Sequence, residues 1–268
     1  MATILEEITD RKRLHVAQCK EELPARELYS EVEKLMDEGL AHHSLRNALT
    51  HSETGIIAEF KRKSPSLGWI KEEAQPEDIV PAYVANGATA LSILTDEPYF
   101  GGKPEFISRM RKKTPIPILR KDFIVDEYQV FEAKKIGADA ILLIATCLNK
   151  EECRSLGKMA RELRLDVLLE IHDESELDYI DDFVSIVGVN NRNLHFFKTD
   201  IKTSFELSGR IPEEFVKISE SGLKTANDLK LLRAAGYEGF LMGERFMKTP
   251  DPGKALGHLI TELTTNNP

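Results

Sequence analysis

The chain has 268 residues, 41% hydrophobic and 30% charged, an ordinary globular composition with length for a large core. Its 36 basic residues against 45 acidic ones leave a net charge of −9, which argues against general affinity for nucleic acid but allows a local basic site for an anionic metabolite. No apolar run reaches the ~18 residues of a membrane span and no signal-peptide pattern opens the chain, so a cytoplasmic protein without membrane contact is expected.

Residues 1–54 read as helical. Ile4, Leu5 and Ile8 fit a 3–4 spacing that Leu14 continues loosely. Pro24 breaks that run, and a second helical stretch over 28–36 ends before Gly39. This segment has no strand of its own and reads as an extension of a main domain over 55–268.

From Gly55 onward strands and helices alternate. Strands are predicted over 56–60, 90–94, 116–119, 140–144, 167–170, 186–190, 216–219 and 239–242, with amphipathic helices between them, for example over 126–136, 151–163 and 226–235. Eight units of about 27 residues suit βα repeats. The expected fold is therefore α/β, a single (β/α)8 TIM barrel with an N-terminal helical extension. An open doubly wound sheet is the alternative, but the G-x-G-x-x-G loop it usually carries is absent. Cys19, Cys147 and Cys153 have no metal spacing and cannot all pair. Cys147 follows an apolar strand; its plainer role is a small buried hydrophobe.

The first strand ends in IIAEFKRKSPSLGWI. Alternation puts Glu59 and Lys61 on one face, roughly 6–7 Å apart along the strand. A frayed end with a solvated ion pair is the bland reading. Against it, Ser64-Pro65-Ser66 and Gly68 form the kind of loop at which parallel α/β proteins bind ligands.

Other strand ends repeat the pattern. They carry Lys121 with Asp122, then Glu170, Asn190 with Arg192, Glu220 with Ser221 and Gly222, and Gly243 with Glu244. Barrel chemistry gathers at such ends. Each alone is an unremarkable solvated terminus, and His172 and His195 read as structural or solvent-facing. The two late glycines invite a phosphate, helped by a short helix starting near Gly243; ordinary glycine turns are the plainer account.

Together, IIAEFKRKSPS, LSILTDEPYFGG, LRKDFIVDEYQV, LLEIHD, GVNNRNL, ISESG and LMGERFM resemble, in this order, the indole-3-glycerol phosphate synthase family of tryptophan biosynthesis. The resemblance spans essentially the whole chain, with LRKDFI and AEFKRKSPS the specific matches. It implies a lyase that closes the indole ring of 1-(2-carboxyphenylamino)-1-deoxyribulose 5-phosphate, releasing CO2 and water, with no metal or organic cofactor. It implies Lys121 as general acid, Lys61 on the substrate carboxylate and Glu170 as base, with Glu59 and Asn190 orienting them. Phe100 and Phe123 would line the anthranilate pocket, and Arg192, Glu220 and Leu241 would contact substrate. Ser64, Ser221, Gly222, Gly243 and Glu244 would surround the phosphate. Partners other than this phosphorylated small molecule are left open, with other enzymes of the tryptophan pathway as the class to consider. Leu67, Lys103 and Arg245 depart from the family's usual residues at their positions. Two rivals stand beside this reading. A sugar-phosphate isomerase barrel would need a cysteine at the end of the first strand. A non-catalytic phosphometabolite binder would have no use for Lys61, Lys121 and Glu170 together.

Overall fold

The computed structural model describes residues 3–39, 42–192 and 199–265. Eight strands, β1 (Ile56–Phe60), β2 (Ala90–Leu94), β3 (Ile118–Lys121), β4 (Ala140–Ile144), β5 (Asp166–Ile171), β6 (Ile186–Asn190), β7 (Val216–Glu220) and β8 (Gly239–Met242), close into a barrel in chain order. Every pairing is parallel, and β1 bonds to both β2 and β8, so the main sheet has no open edge. Every residue of β1, β2 and β4 is buried, the reason those segments are apolar runs rather than alternating ones.

Among the described residues three helices precede the barrel: α1 (Ile4–Glu22), α2 (Ala25–Asp37) and α3 (Leu45–Thr50). The segments that follow the strands hold α4 (Pro76–Ala85), α5 (Glu97–Phe100), α6 (Pro104–Arg111), α7 (Glu127–Ile136), α8 (Lys150–Glu162), α9 (Lys202–Ser208), α10 (Ala226–Ala234), α11 (Glu244–Met247) and α12 (Pro252–Thr264). After β5 a 3-10 helix, Glu174–Tyr179, stands where a longer helix would be expected.

Two expectations shift. The third strand runs from Ile118 to Lys121, two residues later than 116–119, because Pro117 cannot donate to a ladder and the register with β2 pairs Leu94 with Lys121. Leu14 does not continue the apolar face of α1; it is 69% exposed, while Ile8, Lys12 and Val16 are the buried positions.

The core has two layers. An outer layer packs the helices on the barrel wall. The inner one fills the barrel with Ile57, Leu119, Leu142, Leu168, Ile186, Ile218 and Leu241. The N-terminal segment caps both ends of that inner column. Leu45 and Leu49 of α3 join it at the strand starts, where the Ser44 hydroxyl bonds Asp166 and Ser52 bonds Thr89. Ile8 of α1 joins it at the opposite end. There α1 is anchored by Lys12, whose ammonium lies 2.7 Å from both Asp96 and Asp122, and by Glu7, which accepts from the Tyr99 hydroxyl.

Candidate active site

A cavity of about 550 Å³ opens at the C-terminal ends of the strands. Its walls include each residue to which the resemblance gives a site role: Glu59, Lys61, Ser64, Phe100, Lys121, Phe123, Glu170, Asn190, Arg192, Glu220, Ser221, Gly222, Leu241, Gly243 and Glu244. His195 lies outside the described residues.

The polar floor is built by alternation. Glu59 and Lys61 form the pair that β1 implies, with Nζ 2.8 Å from Glu59 Oε1. Lys121 of β3 reaches across the barrel. Its Nζ lies 2.7 Å from Glu170 Oε2 of β5 and 2.9 Å from Glu220 Oε2 of β7. Asn190 Nδ2 donates to Glu170 Oε1 at 3.0 Å. Burial works against the charge of Lys121, but Glu170, Glu220 and Glu59 outweigh it and raise its pKa well above the ordinary 10.5. Burial likewise opposes ionisation of Glu170, yet Lys121 and His172 hold it well below the usual carboxylate range. Glu220 goes the other way: burial, joined by repulsion from Glu170 and Glu59, outweighs Lys121 and pushes it up to about 7.

One glycine makes this crossing possible. A Cβ on Gly188 of β6 would stand 2.5 Å from Glu220 Oε1, so the carboxylate occupies space that any other residue would fill. Gly243 acts similarly, and not for the reason its turn suggested. Its φ of −134° suits any residue, but a Cβ there would lie 2.6 Å from Glu59 Oε1. The constraint is close approach to the carboxylate, not backbone handedness.

The side wall is apolar. Phe100 and Phe123 face each other with ring centroids 6.1 Å apart, beside Leu142, Ile144 and Leu241. Ile4, Leu5 and Ile8 of α1 complete the roof. Their helical spacing was readable, but no local signal aimed them at the cavity. Cys147 packs beside this wall, its thiol pushed up to about 11 by burial.

The far end is basic. Arg192, Lys224, Arg245 and Lys248 line it together with Ser64, Ser66, Ser221 and Gly222. Ser221 takes a left-handed φ of 67°, uncommon for serine, followed by Gly222 at 75°. Asn191 fixes this turn by donating to the Glu220 and Ser221 carbonyls. The neighbours of Glu244 are Lys248 at 2.6 Å and Arg192 at 3.5 Å, rather than Arg245. Arg245 is not solvent-facing: it is half-buried, and its Nη1 has no hydrogen-bond partner among the described residues. The i,i+4 spacing of Glu244 and Lys248 was the signal for Lys248.

Loops brace the rim. After β1, Lys63–Ser64 and Gly68–Trp69 form a small antiparallel hairpin, with Leu67 exposed at its tip. Arg62 bonds the Gly101 carbonyl and stacks on Trp69, and Arg192 donates to Ser66. Gly101 has a positive φ, and a Cβ there would strike the Trp69 ring at 2.6 Å. Lys103, one of the departures, pairs with Glu97 at the surface.

A family model described as indole-3-glycerol phosphate synthase matches residues 5–259. The chain belongs to the indole-3-glycerol phosphate synthase family. It is 50% identical to indole-3-glycerol phosphate synthase of Bacteroides thetaiotaomicron, over 98% of this chain and all of the relative. The same-named protein of Acidithiobacillus ferrooxidans is 42% identical over 97% of this chain and 99% of its own length. Membership makes the chain a carboxy-lyase enzyme of tryptophan biosynthesis. Among solved structures it resembles KGPDC from Streptococcus mutans, with TM-score 0.59 and 14% identity over 78% of this chain and 96% of that one. A mutant tryptophan synthase alpha-subunit from Pyrococcus furiosus gives TM-score 0.60 and 16% identity, over 78% of this chain and 97% of that one. At those identities the likeness speaks for the barrel alone.

Proposed function

We propose that the enzyme converts 1-(2-carboxyphenylamino)-1-deoxyribulose 5-phosphate into indole-3-glycerol phosphate, CO2 and water. The observation that carries this reading is Lys121, an ammonium suspended between two carboxylates at the floor of a cavity with one aromatic wall and one basic end. The anthranilate ring lies against Phe100 and Phe123, and Lys61 holds its carboxylate. The phosphate sits at the far end near Ser64, Ser221, Gly222, Gly243 and the amide of Glu244, with Arg192 and Arg245 in reach.

Ring closure joins the ring carbon bearing the carboxylate to the ribulose carbonyl carbon. The carbonyl π electrons move onto oxygen, where Lys121 meets them. Its ion pairs keep Lys121 charged but make it a weak acid until substrate loosens them. It acts first by stabilising negative charge on that oxygen, and gives up its proton as the oxygen becomes basic. Loss of CO2 returns the electrons of its C–C bond to the ring. Glu170 then takes the proton whose removal drives out hydroxide, and Lys61, released by loss of the carboxylate, gives that hydroxide the proton with which it leaves as water. Glu59 and Asn190 hold Lys61 and Glu170 in place.

On the same footing, residues 1–54 form an extension packed on a barrel of residues 55–268, with α1 as roof and α3 as floor. No helix among the described residues is long and apolar enough to cross a membrane, and we place the reaction in the cytoplasm. The test is fluorimetric. Purified enzyme given the carboxyanilino substrate should produce indole fluorescence. A folded enzyme that binds the substrate and produces none would overturn the reading.

A further inference from the structure

Glu170 and Glu220 both contact the same ammonium. One cation does not balance two buried carboxylates, and such a pair drives one member toward its acid form. The surroundings decide which. Glu220 has Lys121 at Oε2, while its Oε1 is buried with no hydrogen-bond partner among the described residues. Glu170 has Lys121 at Oε2 and Asn190 at Oε1, and a third neighbour behind it: His172 Nε2, 3.4 Å from Oε1.

His172 does not line the cavity. Its side chain is 13% exposed and wedged between two acids. Nδ1 lies 3.2 Å from Glu176 Oε2, with Thr146 Oγ1 also at 3.2 Å. The same Glu176 oxygen accepts the His172 backbone N–H at 2.6 Å, which ties the 3-10 helix to the end of β5. A neutral imidazole has one N–H and one lone pair, so it would turn a lone pair toward one of these carboxylates. His172 Nε2 is itself buried with no hydrogen-bond partner among the described residues and meets Glu170 only as an ion pair, an approach that suits the doubly protonated ring.

We propose that His172 is held as an imidazolium between Glu176 and Glu170, and that this second cation makes Glu170 the ionised partner of Lys121 while Glu220 keeps the proton. His172 is thus a positioning residue that touches no substrate. The inference rests on the role given to Glu170 above. The pKa directions agree with it: burial opposes the charge of His172, yet the neighbouring Glu170 and Glu176 carboxylates outweigh it and raise the ring to about 10. The other groups facing this cluster are Lys121 of β3, Glu220 of β7, Glu59 with Lys61 of β1, and Thr146 and Cys147 after β4.

Two measurements on the full chain test the proposal. In the first, ring-15N histidine labelling reads the protonation of His172, its signal identified by its loss in His172→Asn. Both ring nitrogens should be protonated at pH 8. A neutral ring at that pH overturns the proposal, and this result needs no active variant. In the second, pH–rate profiles are compared. In His172→Asn the anion of Glu170 loses a stabilising charge, so the acid limb of kcat should move up by about one pH unit or more. Below that moved limb kcat should fall about tenfold relative to the parent enzyme at the same pH, with KM within about threefold. Glu176→Gln removes one counter-charge from the ring, so a new loss of activity should appear on the alkaline side as His172 deprotonates. A merely structural histidine would lower Tm and leave both limbs unmoved, and unmoved limbs overturn the proposal. A Glu170→Gln enzyme with normal turnover would instead sink the role of Glu170, and the NMR reading of His172 would still stand.

Discussion

Strand β3 carries two ionic clusters on its two sides. Inward, Lys121 joins Glu170 and Glu220, with Glu59 and Lys61 nearby. Outward, Arg120 joins Asp122 and Glu132, and Asp122 and Asp96 share Lys12. Each cluster sets two cations against three carboxylates. In the outer one the third acid, Glu132, keeps its side chain 22% exposed, and water supports its charge. Arg120 and Asp122 there are fully partnered: Arg120 also bonds Thr95 and the Gln129 carbonyl, and Asp122 also takes Thr95 and the Phe123 N–H. In the inner cluster the third acid, Glu220, is 2% exposed and has an orphan oxygen. One imbalance is settled by solvent and the other by a proton. Charge counting alone does not separate a brace from an active site; access to water, and an open side for a ligand, do.

The largest expected effect falls on the inner cluster. Lys121→Ala should lower kcat by about 10²–10⁴, the usual loss for a general acid, with circular dichroism unchanged. A variant that keeps more than about a tenth of wild-type kcat would break the contrast between the two faces of β3.

On the outer face the loss should be in stability. Lys12→Met leaves Asp96 and Asp122 buried without their ammonium, and urea denaturation at pH 7 should show a loss of about 3–5 kcal/mol. KM should rise too, since Lys12 anchors the helix that carries Ile4, Leu5 and Ile8. The pH dependence has a definite sign. Burial opposes ionisation of Asp122, but Lys12 and Arg120 lower it from the ordinary 3.8 to about 2. Its contribution is therefore complete above 3.8 and is lost as pH falls from there through about 2. That acid slope should shrink in Lys12→Met. An equal slope in both proteins would mean the outer cluster is not the brace described here.

Arg245 sharpens the comparison from the cavity side, because its half-buried guanidinium has a free Nη1 turned to no acceptor among the described residues. Arg245→Ser should raise KM about tenfold with kcat unchanged, since a charge-assisted hydrogen bond contributes roughly 1.5–3 kcal/mol. An unmoved KM would remove it from the phosphate end.

The smallest effect belongs to an ion pair in neither cluster. Lys158 and Glu162 on α8 are 3.9 Å apart and more than half exposed. Lys158→Ala should shift the unfolding free energy by less than about 0.5 kcal/mol, and a larger shift would mean surface pairs matter here more than expected.

Much of the barrel was legible because strands covered on both faces are apolar runs that end abruptly in polar residues. Glu59 and Lys61 were legible as neighbours because a strand has a period of two. The third strand was misplaced by two residues because Ile116 and Pro117 are as apolar as the strand that follows. Lys12 was invisible in Arg11-Lys12-Arg13, where a charged run reads as a solvated helix face. His172 looked ordinary for the same reason: nothing nearby in sequence says that Glu170 stands behind it.

By itself the sequence determined what depends on neighbours a few residues away: the alternation, the breaks at Pro24 and Gly39, and which side chains share a face. The tertiary structure alone decided what depends on distance through space. Lys121 meets Glu170 and Glu220 from 49 and 99 residues away, and Gly188 makes room for a carboxylate on another strand. Which acid holds a proton follows from desolvation and Coulomb attraction among side chains that only barrel closure brings within 3 Å of one another, as it does Lys121 and its two acids.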